Sequence, residues 1–247
     1  MENRSFPVLL LHGFTSSLDC VKAPAEKLKN LGFDVKTPVL AGHGTVYKDL
    51  VGVKSEDWFN DAYEELKSLY EQYNTKVVVV GLSMGGAVAL DLAIKHSDMV
   101  QAVVGVAPAL DFKDPLARFS GFMSKFIKFW PAPNAFRDKK LKKEKNTNYP
   151  KFPVATFYEL YKYGQKISNE LEKLTVPVLL LHSMKDQIIP VEVSRKIIEK
   201  SSSEEKQIIL FSKSGHEMFL DLEADKVTDE VCNFILNLDK KLKKTEK

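Results

Sequence analysis

Cysteine and long apolar runs are both scarce in this chain of 247 residues. Cys20 and Cys232 lie far apart and outside any Cys-x-x-Cys or Cys/His cluster, which argues against a disulfide framework and a zinc site. No apolar run approaches the about 18 residues that span a bilayer. The short apolar run before His12 lacks the features of an export signal. We therefore expect a cytoplasmic protein with two reduced thiols and no transmembrane segment.

A strong excess of one charge is also missing. The chain has 36 Lys and Arg against 33 Asp and Glu, for a formal net charge of +3. This balance argues against nucleic acid as a partner. The dense basic run Arg137–Lys145 is typical of solvated surface, and weak contact with an anionic membrane surface is the minor alternative. The sequence assigns no oligomeric state.

Short, strongly apolar runs alternate with helical patterns along most of the chain. Runs of this length are typical of strands that are buried on both faces of a sheet. Their alternation with helices predicts a single α/β domain with a mainly parallel sheet and helices on both faces. The six runs are Val8–Leu11, Val35–Val39, Val77–Val80, Ala102–Val106, Val178–Leu181 and Ile208–Phe211.

The alternation breaks between Pro108 and Leu174, where no convincing buried strand is found. We interpret 108–174 as an inserted cap and assign 1–107 and 175–247 to the core domain. Within the cap, apolar side chains at helical spacing predict a helix that packs its apolar face on the core domain. The same face could also roof an acyl-binding pocket. These residues are Phe119, Phe122, Met123, Phe126, Phe129 and Trp130.

The stretch Gly81-Leu82-Ser83-Met84-Gly85 follows a predicted buried strand and begins a predicted helix. This context is that of a nucleophile elbow, in which a sharp turn exposes the serine hydroxyl. Side chains two residues before and after the serine would collide across such a turn, and glycines at 81 and 85 remove the collision. A glycine-rich junction with an incidental serine is the structural alternative.

A reactive serine needs a base that is itself oriented by an acid. In this kind of fold both follow the serine along the chain, in the order acid and then histidine. Asp186 comes just after the fifth predicted strand, and His216 just after the sixth. Because sites in open α/β sheets form at the carboxyl ends of the strands, we predict Ser83, Asp186 and His216 as the catalytic residues.

Other acids and histidines have structural explanations. Asp221 is predicted at the start of the final helix, where N-capping accounts for it. Asp111 and Asp114 follow the wrong strand for the order above. His96 ends a helix, where the helix dipole favours it, and His182 adjoins a strand and is predicted to point into the core.

The loop after the first strand should face the same edge of the sheet as Ser83. Backbone N–H groups there could stabilise a developing oxyanion, and we predict those of Phe14 and Met84. For His12 we favour a structural role that braces this loop over an acid-base role. His43 is predicted to pack near the site, with direct substrate contact as the alternative.

Taken as an ordered set, the motifs of the chain resemble the α/β-hydrolase family, and more narrowly its small bacterial carboxylesterases and monoacylglycerol lipases. The resemblance implies a six-stranded sheet without the first two strands of the family fold, an inserted cap, and Ser83, Asp186 and His216 as a catalytic triad. The matching motifs are His12-Gly13-Phe14, Gly42-His43-Gly44, Asp57-Trp58, Gly81 to Gly86, Asp186 before Ile189-Pro190, and Ser214-Gly215-His216.

The expected function is that of a serine carboxylic-ester hydrolase acting on short- to medium-chain acyl esters through an acyl-enzyme. Monoacylglycerols are included among the expected substrates, and a dedicated monoacylglycerol lipase is the main alternative. An acyltransferase or perhydrolase, and a non-catalytic ligand-binding homologue, are further alternatives. No metal or organic cofactor is implied, and the expected partner is a small-molecule ester.

Overall fold

A computed structural model describes residues 4–245, and its main sheet contains six parallel strands. Their order across the sheet is β2-β1-β3-β4-β7-β8, as expected for the predicted doubly wound fold. The second strand is shorter than predicted, because Pro38 cannot donate to a ladder and Val39 is 48% exposed at the sheet edge. The main-sheet strands are β1 Val8–Leu11, β2 Val35–Lys36, β3 Val77–Leu82, β4 Val100–Val106, β7 Val178–Ser183 and β8 Lys206–Phe211; the remaining strands are β5 Phe129–Pro131 and β6 Lys151–Pro153.

Helices cover both faces of the four central strands, which explains their unbroken apolar runs. The edge strands β2 and β8 are mostly half-buried or exposed, so the burial predicted for their runs is wrong. In β3, Val77 and Val79 point into one hydrophobic core, while Val78 and Val80 point into the other. The first core also receives side chains from α2, α3, α6 and α7, and the second from α1 and α8. No helix within residues 4–245 is long and apolar enough to cross a bilayer. The helices are α1 Asp19–Asn30, α2 Ser55–Tyr73, α3 Met84–Lys95, α4 Ser120–Met123, α5 Lys139–Lys145, α6 Val154–Ser168, α7 Glu192–Lys200 and α8 Ala224–Thr245.

The predicted aromatic helix of the insert is wrong. A single turn of 3₁₀ helix, Ala117–Phe119, leads into the short α4, after which the chain turns into β5 and pairs with β6. Phe122 is 65% exposed and Phe126 is 75% exposed, so their side chains do not pack on the main domain. Helical spacing shows which side chains could share a face, but it does not show that another element covers that face.

The insert is joined to the main domain by α6. Leu160, Tyr163 and Ile167 belong to the same core as α2 and α3, and the Tyr163 hydroxyl donates to Asp91 Oδ2 over 2.8 Å. The division into a core of 1–107 and 175–247 and a cap of 108–174 stays a prediction. The basic run is exposed or half-buried along its length, as predicted for solvated surface, and all but its first two residues form α5.

Candidate active site

Ser83 occupies the sharp turn between β3 and α3. Its backbone has φ of 54° and ψ of −112°, a conformation that a side-chain-bearing residue rarely adopts. A Cβ atom at Gly81 would lie 2.1 Å from the carbonyl oxygen of Gly85, and one at Gly85 would lie 2.5 Å from that of Leu11. The predicted collision across the turn is therefore confirmed for Gly81, whereas a side chain at Gly85 would collide with the backbone at the end of β1.

The structure brings together the three side chains that the sequence predicts for the site. His216 Nε2 lies 2.8 Å from Ser83 Oγ, and His216 Nδ1 lies 2.7 Å from Asp186 Oδ2. Ser83 follows β3, Asp186 follows β7 and His216 follows β8, so all three lie beyond the carboxyl ends of parallel strands. All three residues are buried, so the hydrogen bonds between them are shielded from bulk water.

Asp186 is held as a carboxylate by donors on both of its oxygens. Oδ1 accepts hydrogen bonds from the N–H groups of Ile188, at 2.7 Å, and Ile189, at 2.9 Å. Burial alone would raise the pKa of Asp186, but the charge of His216 and hydrogen bonds from His182 and His216 outweigh it and lower that pKa. Asp186 is therefore ionised across the pH range in which His216 gains and loses its proton.

His216 is placed against Asp186 by a tight approach of its loop. A Cβ atom at Gly215 would lie 2.5 Å from the carbonyl oxygen of Ala135, so only glycine fits there without a shift of the backbone. Burial alone would lower the pKa of His216, but the Asp186 carboxylate outweighs it and holds the pKa above its usual 6.5. His216 is consequently a stronger base than a free histidine.

His182 points into the core, as predicted, but its contact with the site was not foreseen. It is fully buried, and its Nε2 lies 3.4 Å from Asp186 Oδ2. Its Nδ1 lies 2.7 Å from the hydroxyl of Ser194. Nε2 also lies 3.3 Å from the carbonyl oxygen of Ile189, so His182 packs behind Asp186 with its one Nε2 shared between two oxygens. A histidine at a strand end, four residues before the acid, was the available sequence signal.

Phe14 and Met84 lie where an oxyanion site is predicted. Met84 directly follows Ser83, and a Cβ atom at Gly13 would lie 3.5 Å from Ser83 Cβ, so the loop of Phe14 passes beside the serine. Within residues 4–245, the N–H groups of Phe14 and Met84 donate to no protein acceptor. Both groups are consequently available to a ligand oxygen.

His12 and His43 support the loop of Phe14 and the neighbouring loop through hydrogen bonds to backbone N–H groups. The N–H of Leu40 donates to His12 Nε2 over 3.0 Å, and the N–H of Thr15 donates to His43 Nε2 over 3.1 Å. Their ring centroids are 4.9 Å apart. Neither histidine is among the residues that line the cavity described below, so the arrangement supports bracing over substrate contact.

The rival acids accept hydrogen bonds from backbone groups and none is paired with His216, although Asp114 lines the cavity described below. The Asp221 carboxylate accepts from the N–H groups of Gly215 and Arg137, and therefore ties the His216 loop to the insert. The predicted N-cap role of Asp221 is wrong, because α8 begins only at Ala224 and these backbone donors occupy its side chain. Asp111 and Asp114 each accept from nearby N–H groups in their own loop.

A cavity of about 360 Å³ opens beside Ser83 and His216. Its wall is mainly apolar, and the insert contributes a large part of it. A site of this size and lining suits a small amphiphilic ligand. Within residues 4–245, no group of three or more His, Cys, Asp or Glu side chains is placed to hold a metal ion. Apolar residues on the wall are Phe14, Leu82, Phe112, Leu116, Met123, Trp130, Phe152, Val154, Phe157, Leu160 and Ile188.

Five polar side chains on this wall were missed from the sequence: Thr15, Ser120, Asn148, Gln187 and Glu217. Glu217 and Gln187 directly follow His216 and Asp186, and Asn148 comes from the insert. Asn148 Nδ2 donates to Glu217 Oε1 over 2.7 Å. Only the adjacency of Glu217 and Gln187 to the predicted site residues could have drawn attention to them.

Residues 4–223 match the protein-family model Hydrolase_4, described as "Serine aminopeptidase, S33". The chain is 29% identical over 235 residues to "Thermostable monoacylglycerol lipase" of Bacillus sp. (strain H-257), covering 94% of this chain and 91% of that protein. It is 28% identical over 237 residues to "Carboxylesterase" of Bacillus subtilis (strain 168), covering 94% of this chain and 93% of that protein.

Solved structures share the fold along nearly the whole chain. A structure from work on LipS and LipT, two metagenome-derived lipolytic enzymes, has a TM-score of 0.88 at 25% identity and covers 95% of this chain and 94% of its own. A soluble variant of monoglyceride lipase from Saccharomyces cerevisiae has a TM-score of 0.83 at 18% identity, covering 96% and 88% respectively. The predicted fold is confirmed by these likenesses.

We expect the buried His43 to make stability depend on pH. Burial, aided by the charge of His12, lowers the pKa of His43 from 6.5 to about 3. On acidification, the unfolded chain therefore binds a proton at this residue at a higher pH than the folded chain does. The free energy of unfolding should therefore fall as pH drops below 6.5 towards 3, by at most about 1.4 kcal/mol per pH unit for this residue.

Urea unfolding at about pH 7 and about pH 5.5 measures this slope. His43→Gln, which keeps an acceptor for the Thr15 N–H, should flatten it, and His96→Gln serves as the matched control. An unchanged slope in His43→Gln, or an equal change in both variants, would contradict the assignment.

Proposed function

The chain belongs to the Hydrolase_4 family and has the α/β-hydrolase fold, and from that premise we propose that it hydrolyses carboxylic esters through an acyl-enzyme. The observation that carries this proposal is the buried hydrogen-bonded chain from Ser83 through His216 to Asp186, at the wall of a mainly apolar cavity. The names of the two Bacillus relatives support esters, including monoacylglycerols, as the substrate class.

In the proposed reaction, Ser83 Oγ attacks the ester carbonyl carbon while His216 Nε2 takes its proton. Asp186 stabilises the resulting imidazolium through Nδ1. The N–H groups of Phe14 and Met84 donate to the oxyanion. His216 then returns the proton to the departing alcohol, and water attacks the acyl-enzyme by the same route to release the acid.

The cavity supports short- to medium-chain acyl groups as substrates. Its volume of about 360 Å³ lies near the lower end of small-molecule sites, and aromatic side chains from the insert form part of its wall. We propose that 108–174 acts as a cap, because Trp130, Phe152 and Phe157 face the cavity from this segment. A chain longer than the cavity would have to leave it.

Two buried thiols support a cytoplasmic location. Cys20 and Cys232 are unpaired. Burial raises the pKa of Cys20 to about 12 and that of Cys232 to about 11, so both stay protonated at neutral pH. Free thiols persist in reducing compartments, and we therefore propose the cytoplasm.

A lipid surface is the proposed site at which the enzyme meets its substrate. Four apolar side chains of the insert are exposed near the cavity, and one of them, Leu116, also lines the cavity. Three basic residues, Arg118, Lys125 and Lys128, lie between and beside them in the sequence. Exposed apolar side chains with interspersed cations suit an anionic lipid surface. We call the four exposed apolar residues, Leu116, Phe119, Phe122 and Phe126, the aromatic patch after its three phenylalanines.

Replacing the serine tests the hydrolase directly. We expect Ser83→Ala to lower kcat for p-nitrophenyl butyrate by roughly 10⁴- to 10⁶-fold, because no other group can form the acyl-enzyme. Ser202→Ala, at an exposed serine, is the matched control. Retention of most activity in Ser83→Ala would refute the triad. Faster cleavage of amino-acid anilides than of esters would favour the aminopeptidase activity named in the family description.

The pH profile tests the charge assignment. Because Asp186 raises the pKa of His216 above 6.5, kcat/KM should fall as pH drops through a limb above 6.5. Asp186→Asn should move this limb to lower pH and reduce kcat by on the order of 10³- to 10⁴-fold. The measurement is kcat/KM against pH for both proteins. A limb at the same pH in both would contradict control of His216 by Asp186.

The aromatic patch predicts a split between dispersed and aggregated substrates. Phe122→Ser with Phe126→Ser should weaken co-sedimentation with phosphatidylglycerol vesicles and slow hydrolysis of an emulsified ester, because the exposed rings insert into lipid. Hydrolysis of dissolved p-nitrophenyl acetate should stay near the parent value.

Tyr73→Ser is the matched control, since Tyr73 is 36% exposed, ends α2 and does not line the cavity. Equal vesicle binding by the patch variant and the parent protein would exclude the patch as the contact surface.

A further inference from the structure

Asp221 fastens the backbone of the His216 loop to the insert. It is 3% exposed, and its Oδ2 accepts hydrogen bonds from the N–H groups of Gly215, at 2.6 Å, and Arg137, at 2.7 Å. Oδ1 accepts from the N–H of Asp138 over 3.2 Å. Short hydrogen bonds to a carboxylate are stronger than those between neutral groups. One buried side chain therefore joins the residue before His216 to two consecutive residues of the insert.

The same part of the insert, Ala135–Asp138, also contacts the loop after β7, which carries the acid of the predicted triad. The N–H of Glu217 donates to the carbonyl of Ala135 over 3.1 Å, and Gln187 Nε2 donates to that of Phe136 over 3.3 Å. The side chain of Phe136 is buried. We call Ala135–Asp138 the anchor segment, because the loops after β7 and β8 both bind it.

Glycine at position 215 lets the His216 loop and the anchor segment lie backbone against backbone. A Cβ atom at Gly215 would lie 2.5 Å from the carbonyl oxygen of Ala135 and 3.1 Å from the nitrogen of Arg137. The backbone of the anchor segment therefore limits where the next residue, His216, can lie. The Asp221 carboxylate bridges the N–H groups on the two sides of this contact.

The proposed reaction depends on the position of the His216 ring. Nε2 must face Ser83 while Nδ1 faces Asp186, at distances of 2.8 Å and 2.7 Å. A misplacement of about 1 Å can lower a rate by on the order of 10²-fold. We propose that Asp221 is a positioning residue that keeps His216 in line by clamping its loop to the anchor segment. This inference rests on the proposed esterase function, and it makes the insert part of the framework of the triad.

Other roles do not account for the contacts of Asp221. It does not line the cavity, so it is not placed to touch a substrate, and α8 begins only at Ala224. Glu223 accepts from the N–H groups of Lys213, at 2.7 Å, and Ser214, at 3.0 Å, earlier in the same loop. In the described part of the chain, Glu223 accepts no N–H group of the anchor segment, so Asp221 is the acid that joins the two.

Asp221→Asn tests the positioning role, because an amide keeps one acceptor oxygen but places an NH₂ group against the remaining N–H donors. For p-nitrophenyl butyrate, kcat should fall by on the order of 10- to 100-fold. KM should change by less than about three-fold, because Asp221 does not line the cavity. Assays run well below the Tm of each variant exclude loss of folded protein as the cause. Asp221→Glu keeps the carboxylate with a longer reach, and it should lose less activity if the asparagine variant fails to fold.

Asp239→Asn is the matched control. Asp239 is also a buried carboxylate that accepts a backbone N–H, that of Ser5 over 2.8 Å, but it belongs to α8 and does not line the cavity. Its replacement should lower the Tm and leave kcat unchanged. An unchanged kcat in Asp221→Asn, or an equal loss of kcat in both variants, would overturn the positioning role.

Phe136→Ala tests the part played by the anchor segment. Phe136 is buried and does not line the cavity, so its truncation should loosen the segment and lower kcat with little change in KM. Because both changes act on one clamp, Phe136→Ala combined with Asp221→Asn should lose less activity than the product of the two single losses. Losses that multiply would exclude the anchor segment from the effect of Asp221.

A spectroscopic measurement separates failure of the positioning role from failure of the esterase proposal. The proton between His216 Nδ1 and Asp186 should give a low-field NMR resonance, which reports the geometry of that pair without any substrate. The resonance should shift in Asp221→Asn and stay in place in Asp239→Asn, even if no ester were hydrolysed. Hydrolysis that depends on Ser83, with an unmoved resonance in Asp221→Asn, would overturn the positioning role and leave the esterase intact.

Discussion

The close contact between the end of β3 and the start of α3 is the constraint on which the site depends. Ser83 keeps its unfavourable backbone conformation because neighbours on both sides hold it: its N–H donates to Val106 over 2.8 Å, and its carbonyl accepts from Ala87 and Ala109 over 3.0 Å. A conformation of this kind costs about 1 to 3 kcal/mol. Packing of the central strand offsets that cost, so the hydroxyl is presented to the cavity by the most buried part of the sheet.

The core site was predictable because each of its parts is set locally and then aligned by the sheet. Ser83 directly follows β3, Asp186 and His216 come within a few residues of the ends of β7 and β8, and the carboxyl ends of parallel strands meet at one edge. The glycine requirement at Gly81 is likewise a local steric matter. Sequence therefore predicted the residue types, their order and their edge of the sheet without any knowledge of the loops between them.

The insert could not be predicted in the same way, because its conformation depends on contacts between distant segments. The spacing of Phe119, Phe122 and Phe126 fits a helix. The spacing does not indicate that these side chains face solvent, as they do in the structure. The pairing of Asn148 with Glu217 joins residues from separate segments and depends on the path of the insert over the sheet. Where no regular ladder aligns two segments, local pattern carries no information about their contact.

Of the carboxyl groups of Asp186 and Glu217 beside His216, that of Asp186 is stabilised in its charged form and that of Glu217 is not. Asp186 receives two backbone N–H donors and contacts with His182 and His216, which offset the cost of burying it. Glu217 receives one amide donor, and burial and the charge of Asp186 raise its pKa. A second full negative charge beside the imidazole would compete with Asp186 for the proton of His216. Because its pKa is raised, Glu217 ionises less readily than a free carboxyl group, and this weakens its competition with Asp186 for the proton of His216.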